Sequence, residues 1–287
     1  VTIGGDLEAL HRAVSEHRAI GAFTVYDTIA ARAIVAAGEA SRTDLILQAG
    51  SSGFEVTGAS PLRDLTFAIA RDASINVGVH LDHSRDLDEL RTALDAGYTS
   101  VMIDGSHLNF AENVALTRRA MQVVDRYDAW LEAELGTICG DEDRSTDAVT
   151  ATMTDPLQAM AFVEETGVHA LAVAVGNVHG FTAQPVHLDL NRLYEIHDRV
   201  TVPLVLHGAS GLAPSDLAHA IDIGIAKINI NAEIRRSYIE GMRDGLATCA
   251  PDDLVGTWSY ASKAITTTVS QILDALDPTR REHIKGE

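Results

Sequence analysis

NVGVHLDH, residues 76–83, is the stretch that decides the fold. It is short, it carries the β-branched Val77 and Val79 with Leu81, and it ends on Asp82 and His83, two side chains able to do chemistry. A nearly continuous apolar run of this length reads as a strand covered on both sides, as in a parallel sheet. DLDELRTALDAG (86–97) follows directly, with helical spacing and Gly97 as its stop.

Seven more runs of the first kind lie along the chain. They are AIGAFTV (19–25), DLILQAG (44–50), TSVMIDG (99–105), AWLEAEL (129–135), HALAVAV (169–175), VPLVLHG (202–208) and IAKININ (225–231). Helical patterns at 28–41, 61–73, 112–127, 155–167 and 214–224 fill the gaps. In the segment 155–167, Asp155 suits the cap, Pro156 the first helical position and Gly167 the end. Eight strand–helix alternations predict an α/β fold: a single (β/α)8 TIM barrel domain over residues 1–287, with 258–276 as an extra C-terminal helix. An open doubly wound sheet is the alternative, but no GxGxxG follows the first strand. The polar, acidic stretch 136–154 breaks the rhythm; connections this long are usually functional or disordered.

Charge narrows the partners. Lys plus Arg total 22 against 41 for Asp plus Glu, a formal net charge of −19. That balance argues against nucleic acid and against anionic membranes. An anionic substrate must therefore be caught by local donors against the overall field. The two cysteines, Cys139 and Cys249, form no CxxC pair, so no disulfide framework or thiolate zinc site is expected. No apolar run approaches the ~18 residues of a membrane span, and VTIGGDLEALHRAV lacks the charged-then-apolar pattern of a signal peptide. The expectation is a cytoplasmic enzyme.

The reactive residues share a placement. Asp82 and His83 end the third strand, Asp104 the fourth, and Glu132 and Glu134 the fifth. His179 follows the sixth, His207 ends the seventh, and Asn229 and Asn231 end the eighth. In a barrel of this kind the C-terminal strand ends converge on one face, where active sites are built. A lone strand-end histidine is more often structural, and His80 is read that way. Three at one rim instead make an open metal site, with carboxylates at hand for proton transfer. Gly176, Gly180, Gly208 and Gly211 flank two of the histidines and let backbone N–H groups approach an anion. HGASG, with Ser210, reads as a phosphate cradle, and tight turns alone would explain the glycines equally well. The acids Asp141, Glu142 and Asp143 stay open between function and a solvated loop.

GAFTVYD, HLDHS, VMIDGSH, EAELGTICGDED, TDPLQAMAFVEETGV, ALAVAVGNVHG, PLVLHGASGL and GIAKINI together resemble the class II, zinc-dependent ketose-bisphosphate aldolase family, nearer its tagatose-type branch. The resemblance implies Zn2+ on His83, His179 and His207, with Asp104 and Glu134 at an alternative metal position. It implies Asp82 and Glu142 as the proton carriers, and Gly180, Gly208, Ser210, Asn229 and Asn231 around the substrate phosphate. It also implies a monovalent cation (Na+ or K+) near the phosphate, a phosphorylated sugar substrate cleaved to dihydroxyacetone phosphate and an aldehyde, and a homodimer or homotetramer. Arg280 or Arg281 can be matched loosely to a tail arginine that completes a neighbour's pocket, although a solvated tail charge is the favoured reading of both. Thr24, Asp27, Asn231 and Ala232 depart from the family pattern around the substrate. Two other readings are a different metal-dependent barrel enzyme, such as a hydrolase, and a non-catalytic subunit that stabilises an aldolase complex.

Overall fold

A computed structural model describes residues 7–138, 152–182, 186–277 and residue 279. Its strands are β1 Ile20–Thr24, β2 Leu45–Gly50, β3 Val77–Ser84, β4 Ser100–Ile103, β5 Trp130–Leu135, β6 Ala170–Val173, β7 Leu204–Leu206 and β8 Ile225–Ile230. They pair in parallel in sequence order and close β8 onto β1, forming a complete barrel. Closure leaves no sheet edge exposed. Seven of the strands lie inside the runs read from the sequence, and β3 extends one residue beyond its run, to Ser84.

The described helices are α1 Leu7–Ser15, α2 Thr28–Ser41, α3 Ser51–Thr57, α4 Ala59–Asp72, α5 Leu87–Asp95, α6 Phe110–Val124, α7 Pro156–Thr166, α8 Leu190–His197, α9 Pro214–Ile223, α10 Ala232–Thr248 and α11 Leu254–Leu276. Local chemistry sets several of their starts. Asp27, Asp86 and Asp155 each accept a backbone N–H of the first turn, and Asn109 with Glu112 forms a capping box. Gly167 ends α7 in the left-handed conformation, as its position in the sequence suggested.

Helices α1, α3, α8 and α10 were not expected from periodicity. α1 is nine residues long, too short to persist alone in water. Its stability comes from burial: Ala9, Leu10 and Ala13 pack with Ile20, Ala22, Ile46, Trp130, Ala170, Ala172, Val205 and Ala226, at the first residues of the strands. α1 thus closes the N-terminal mouth of the barrel. α10 carries Gly241 and Gly245, poor helix formers whose reason is packing. A Cβ on Gly241 would stand 2.7 Å from Ala261 Cα, and one on Gly245 2.8 Å from Thr257 Cα. The two glycines let α10 lie directly against α11.

Candidate active site

Two strand irregularities aim the site. In a regular strand, consecutive side chains point to opposite faces. Leu81 pairs with Val101 and Ser84 with Ile103, so β3 carries one residue more than β4 in that interval. His83 has φ 47°, in the left-handed region that side-chain-bearing residues seldom occupy. This bulge turns Asp82 and His83 toward the same place, a recognised use of bulges beside active sites. In β8, Leu204 pairs with Ile225 but Val205 with Lys227, so one residue is again extra. There the irregularity brings Lys227 into the barrel together with its neighbour Ala226.

His83, His179 and His207 offer ligand atoms that all lie within 4.8 Å of one another. His207 is buried, and the other two are partly open. The hydrogen bonds test whether these residues fit a metal. His207 Nε2 faces Glu132 Oε1 at 2.7 Å, and His83 Nδ1 faces Asp104 Oδ2 at 3.4 Å. A carboxylate accepts, so His207 Nε2 carries its hydrogen and the lone pair falls on Nδ1, while the longer contact to Asp104 favours the matching tautomer of His83, with its lone pair on Nε2. Those two nitrogens face each other at 2.8 Å. Burial lowers the His207 imidazole to about 4, opposed by its bond to Glu132, which keeps it neutral and able to ligate. Two neutral lone pairs at that separation repel unless a cation sits against both. A carboxylate behind the ligating histidine is the usual support of a metal site. The residues present therefore fit a divalent metal.

His83, Asp104 and Glu134 form a second group of metal-ligating type, in which Asp104 and Glu134 are buried and His83 is partly open. Burial alone would raise the Asp104 carboxyl, but bonds from His83 and Ser106 hold it well below the usual carboxylate range. Ser106 supplies both its backbone N–H, at 3.0 Å, and its hydroxyl, at 2.6 Å.

Asp82 is buried beside the histidines and held from two sides. Gln48 Nε2 donates to Oδ2 at 2.9 Å, and Asn229 Nδ2 stands 3.1 and 3.3 Å from the two oxygens. Asn229, expected near a phosphate, thus has its amide on Asp82. Gln48 also reaches Thr24 Oγ1 at 3.3 Å, so Thr24 belongs to the same network. Asp27 caps α2 and accepts from the Tyr238 hydroxyl at 2.6 Å. Asn231 Oδ1 accepts from Tyr26 at 2.8 Å.

The two glycines of the expected cradle differ. A Cβ on Gly208 would lie 2.6 Å from the Val178 carbonyl carbon and 2.9 Å from His179 N, so Gly208 lets the two histidine loops touch. Gly180 has open space where a Cβ would be, compatible with close approach of a ligand. Ser210 Oγ donates to Glu233 Oε2 at 2.8 Å. Asn177, not singled out in the sequence, ties the loops together: its side chain bonds Val173 O, Val175 N and His207 O. Gln48 and Lys227 were also missed as site residues. Lys227 had a signal, because a lone cation inside the apolar run IAKINI must be paired if buried. Glu142, Cys139, Asp141, Asp143, Arg280 and Arg281 lie outside the described residues, while Thr137 and Thr152, on either side of the segment that holds Glu142, pair with each other.

Comparison with known proteins agrees with this geometry. The family profile described as Fructose-bisphosphate aldolase class-II matches residues 7–280. The D-tagatose-1,6-bisphosphate aldolase subunit GatY of Klebsiella oxytoca is 37% identical over 226 residues, covering 78% of this chain and 80% of its own. The crystal structure of a putative fructose-1,6-biphosphate aldolase from Coccidioides immitis is 31% identical, with a TM-score of 0.86 over 97% of this chain and 98% of that one. The YdjI aldolase of Escherichia coli K12 is 28% identical, with a TM-score of 0.84 over 96% and 97% of the two chains. A match running almost the length of the chain, on a closed barrel with this rim, means that the chain belongs to the class II fructose-bisphosphate aldolase family and is an aldolase, a carbon–carbon lyase of carbohydrate metabolism.

Proposed function

We propose that the chain, as one domain over residues 1–287, is a zinc-dependent aldolase that reversibly cleaves a phosphorylated ketose into dihydroxyacetone phosphate and an aldehyde. The observation that carries this reading is the meeting of three histidine ligand atoms within 4.8 Å at the barrel mouth, beside a buried Asp82. His83, His179 and His207 hold the metal, and Asp104 and Glu134 with His83 supply the alternative position. A Zn2+ ion held by these histidines would supply a Lewis acid for the ketose carbonyl and for the negative charge that bond cleavage leaves.

Asp82 takes the proton from the hydroxyl at the cleavage point. The donors Gln48 and Asn229 fix its carboxylate for that transfer. Glu142, from the segment after β5, returns a proton to the triose carbon. Gly180, Gly208, Ser210 and Asn231 line the phosphate end, with Asn229 between it and Asp82. The Glu233 carboxylate against Ser210 supports a monovalent cation, Na+ or K+, at that end. Arg280 or Arg281 from a neighbouring copy is the candidate for the far end of the substrate. The working form is a homodimer or homotetramer in the cytoplasm, and no helix among the described residues is long and apolar enough to cross a membrane.

The test is metal content together with cleavage of tagatose 1,6-bisphosphate and fructose 1,6-bisphosphate, read by coupled oxidation of a nicotinamide cofactor as dihydroxyacetone phosphate is reduced. Activity should vanish on chelation and return with zinc. Full activity in metal-free protein would sink the reading.

A further inference from the structure

Beneath the three histidines lies a buried ion pair that the reaction scheme above does not use. Lys227 and Glu132 are both fully buried. Lys227 Nζ stands 2.9 Å from Glu132 Oε2 and 2.7 Å from Asn229 Oδ1. Each of these two partners has a second engagement. Glu132 Oε1 accepts from His207 Nε2, and Asn229 Nδ2 donates to Asp82. One ammonium is therefore two bonds away from a metal-ligand histidine and two bonds away from the proton-carrying carboxylate.

We propose that Lys227 is the positioning residue that orients both. An ammonium only donates. By donating to Asn229 Oδ1 it prevents that side-chain amide from flipping, so the NH2 group must face Asp82. A flipped amide would set its carbonyl oxygen against the Asp82 carboxylate. By donating to Glu132 Oε2 it fixes the second carboxylate, leaving Oε1 for His207 Nε2–H. That bond sets the tautomer of His207 and leaves its Nδ1 lone pair facing His83. The extra residue in β8 is what points Lys227 inward, next to Ala226 of the apolar floor. The same enclosure rules out a Schiff-base role, because Nζ is buried between Glu132 and Asn229, beneath the groups that would face substrate. This inference rests on the proposed roles of His207 and Asp82.

The two arms are separable. Lys227→Met should weaken zinc binding by ~10–100-fold, the usual consequence of losing support behind a metal ligand. It should also lower kcat at saturating zinc by on the order of 100-fold, the scale of a mispositioned proton carrier. Glu132→Gln should cut zinc affinity and shift the visible spectrum of the cobalt(II)-loaded protein, with the smaller loss in kcat at saturating metal. Asn229 Nδ2 also stands 3.4 Å from His207 Nδ1, so Asn229→Ala should lower kcat at saturating zinc and should reduce zinc affinity less than Glu132→Gln does. The double variant Glu132→Gln/Lys227→Met leaves no unpaired charge in the core and carries the test if Lys227→Met fails to fold. It should keep the thermal stability of a folded barrel, yet stay deficient in both zinc affinity and kcat. Normal zinc affinity and a kcat within about 3-fold of wild type in the double variant would overturn the inference. So would a borohydride-trapped adduct of dihydroxyacetone phosphate on Lys227. Wild-type protein that binds no zinc would instead overturn the proposed zinc dependence itself, along with this inference.

Discussion

The two halves of the barrel interior share strands β2, β5, β7 and β8 and have opposite chemistry. The lower half is Ile20, Ala22, Ile46, Trp130, Ala170, Ala172, Val205 and Ala226, closed by Leu10 of α1. The upper half is Gln48, His80, Asp82, Glu132, Glu134, His207, Lys227 and Asn229, equally buried. The change takes one step of two residues along a strand: Ile46 to Gln48, Trp130 to Glu132, Val205 to His207. Residues two apart share a face, so β2, β5 and β7 each extend their inward row from an apolar layer into a polar or charged one. Below, the groups need only fill space. Above, every charge needs a partner of defined geometry, because an unpaired buried charge is costly. His80 lies at the boundary, stacked on Trp130 with ring centroids 5.5 Å apart and bonded to Ser100 at 2.8 Å. The lesson is a division of labour in which the floor carries stability and the roof carries chemistry.

The sharpest way to break that division is Asp82→Asn. It should lower kcat by about 10²–10⁴-fold, the scale of general acid–base catalysis, while the melting temperature stays near wild type. An active Asp82→Asn protein would remove the upper layer's claim to the chemistry. The reciprocal change is Leu10→Ala in the floor, a buried leucine against the strand starts. Denaturant unfolding should show a loss of about 2–5 kcal/mol, with kcat per folded molecule unchanged. If kcat falls with it, floor and roof are coupled and the comparison fails.

Acid should separate the layers too. Burial lowers His80 well below its ordinary value and brings His207 from 6.5 to about 4. A group whose pKa is lower in the folded state is protonated more readily in the unfolded chain. Stability that is full above pH 6.5 is therefore lost as pH falls from about 6.5 through about 4. For His207 the loss in chelated protein is on the order of 3 kcal/mol, at 1.36 kcal/mol per unit. Melting temperature of chelated protein against pH reads it, and Leu10→Ala should shift that curve without changing its slope. A flat curve over this range would contradict the buried, neutral state of these rings.

The smallest effect is expected at the substrate end. Ala232 opens α10 and is one of the departures from the family pattern, in which the resemblance implies a threonine at this position. Ala232→Thr should restore a phosphate donor and lower KM several-fold for a bisphosphorylated ketose, the scale of one hydrogen bond of about 1 kcal/mol. An unchanged KM would mean that the phosphate does not lie over the start of α10.

Much of this arrangement was legible before any coordinates, because the signals are local. Apolar runs such as LILQAG and WLEAEL mark strands, Asp155-Pro156 and Gly167 mark the ends of a helix, and parallel order puts every strand end on one face. That placed Asp82, His83, Asp104, Glu134, His179 and His207 together from the chain alone. Only the tertiary structure decided which charges meet. Glu132 and His207 are 75 residues apart, and Asn229 and Asp82 are 147 apart, so no spacing rule could pair them. Nor does periodicity disclose the extra residues in β3 and β8, since a bulge is defined by the neighbouring strand. α10 stayed hidden for a related reason: Gly241 and Gly245 look like helix breakers until α11 lies against them. The sequence by itself determined the order of elements and the face on which the chemistry gathers. Tertiary packing alone determined how Lys227, Glu132 and Asn229 orient it, because hydrogen-bond partners are chosen by closeness in space and hydrophobic periodicity is written along the chain.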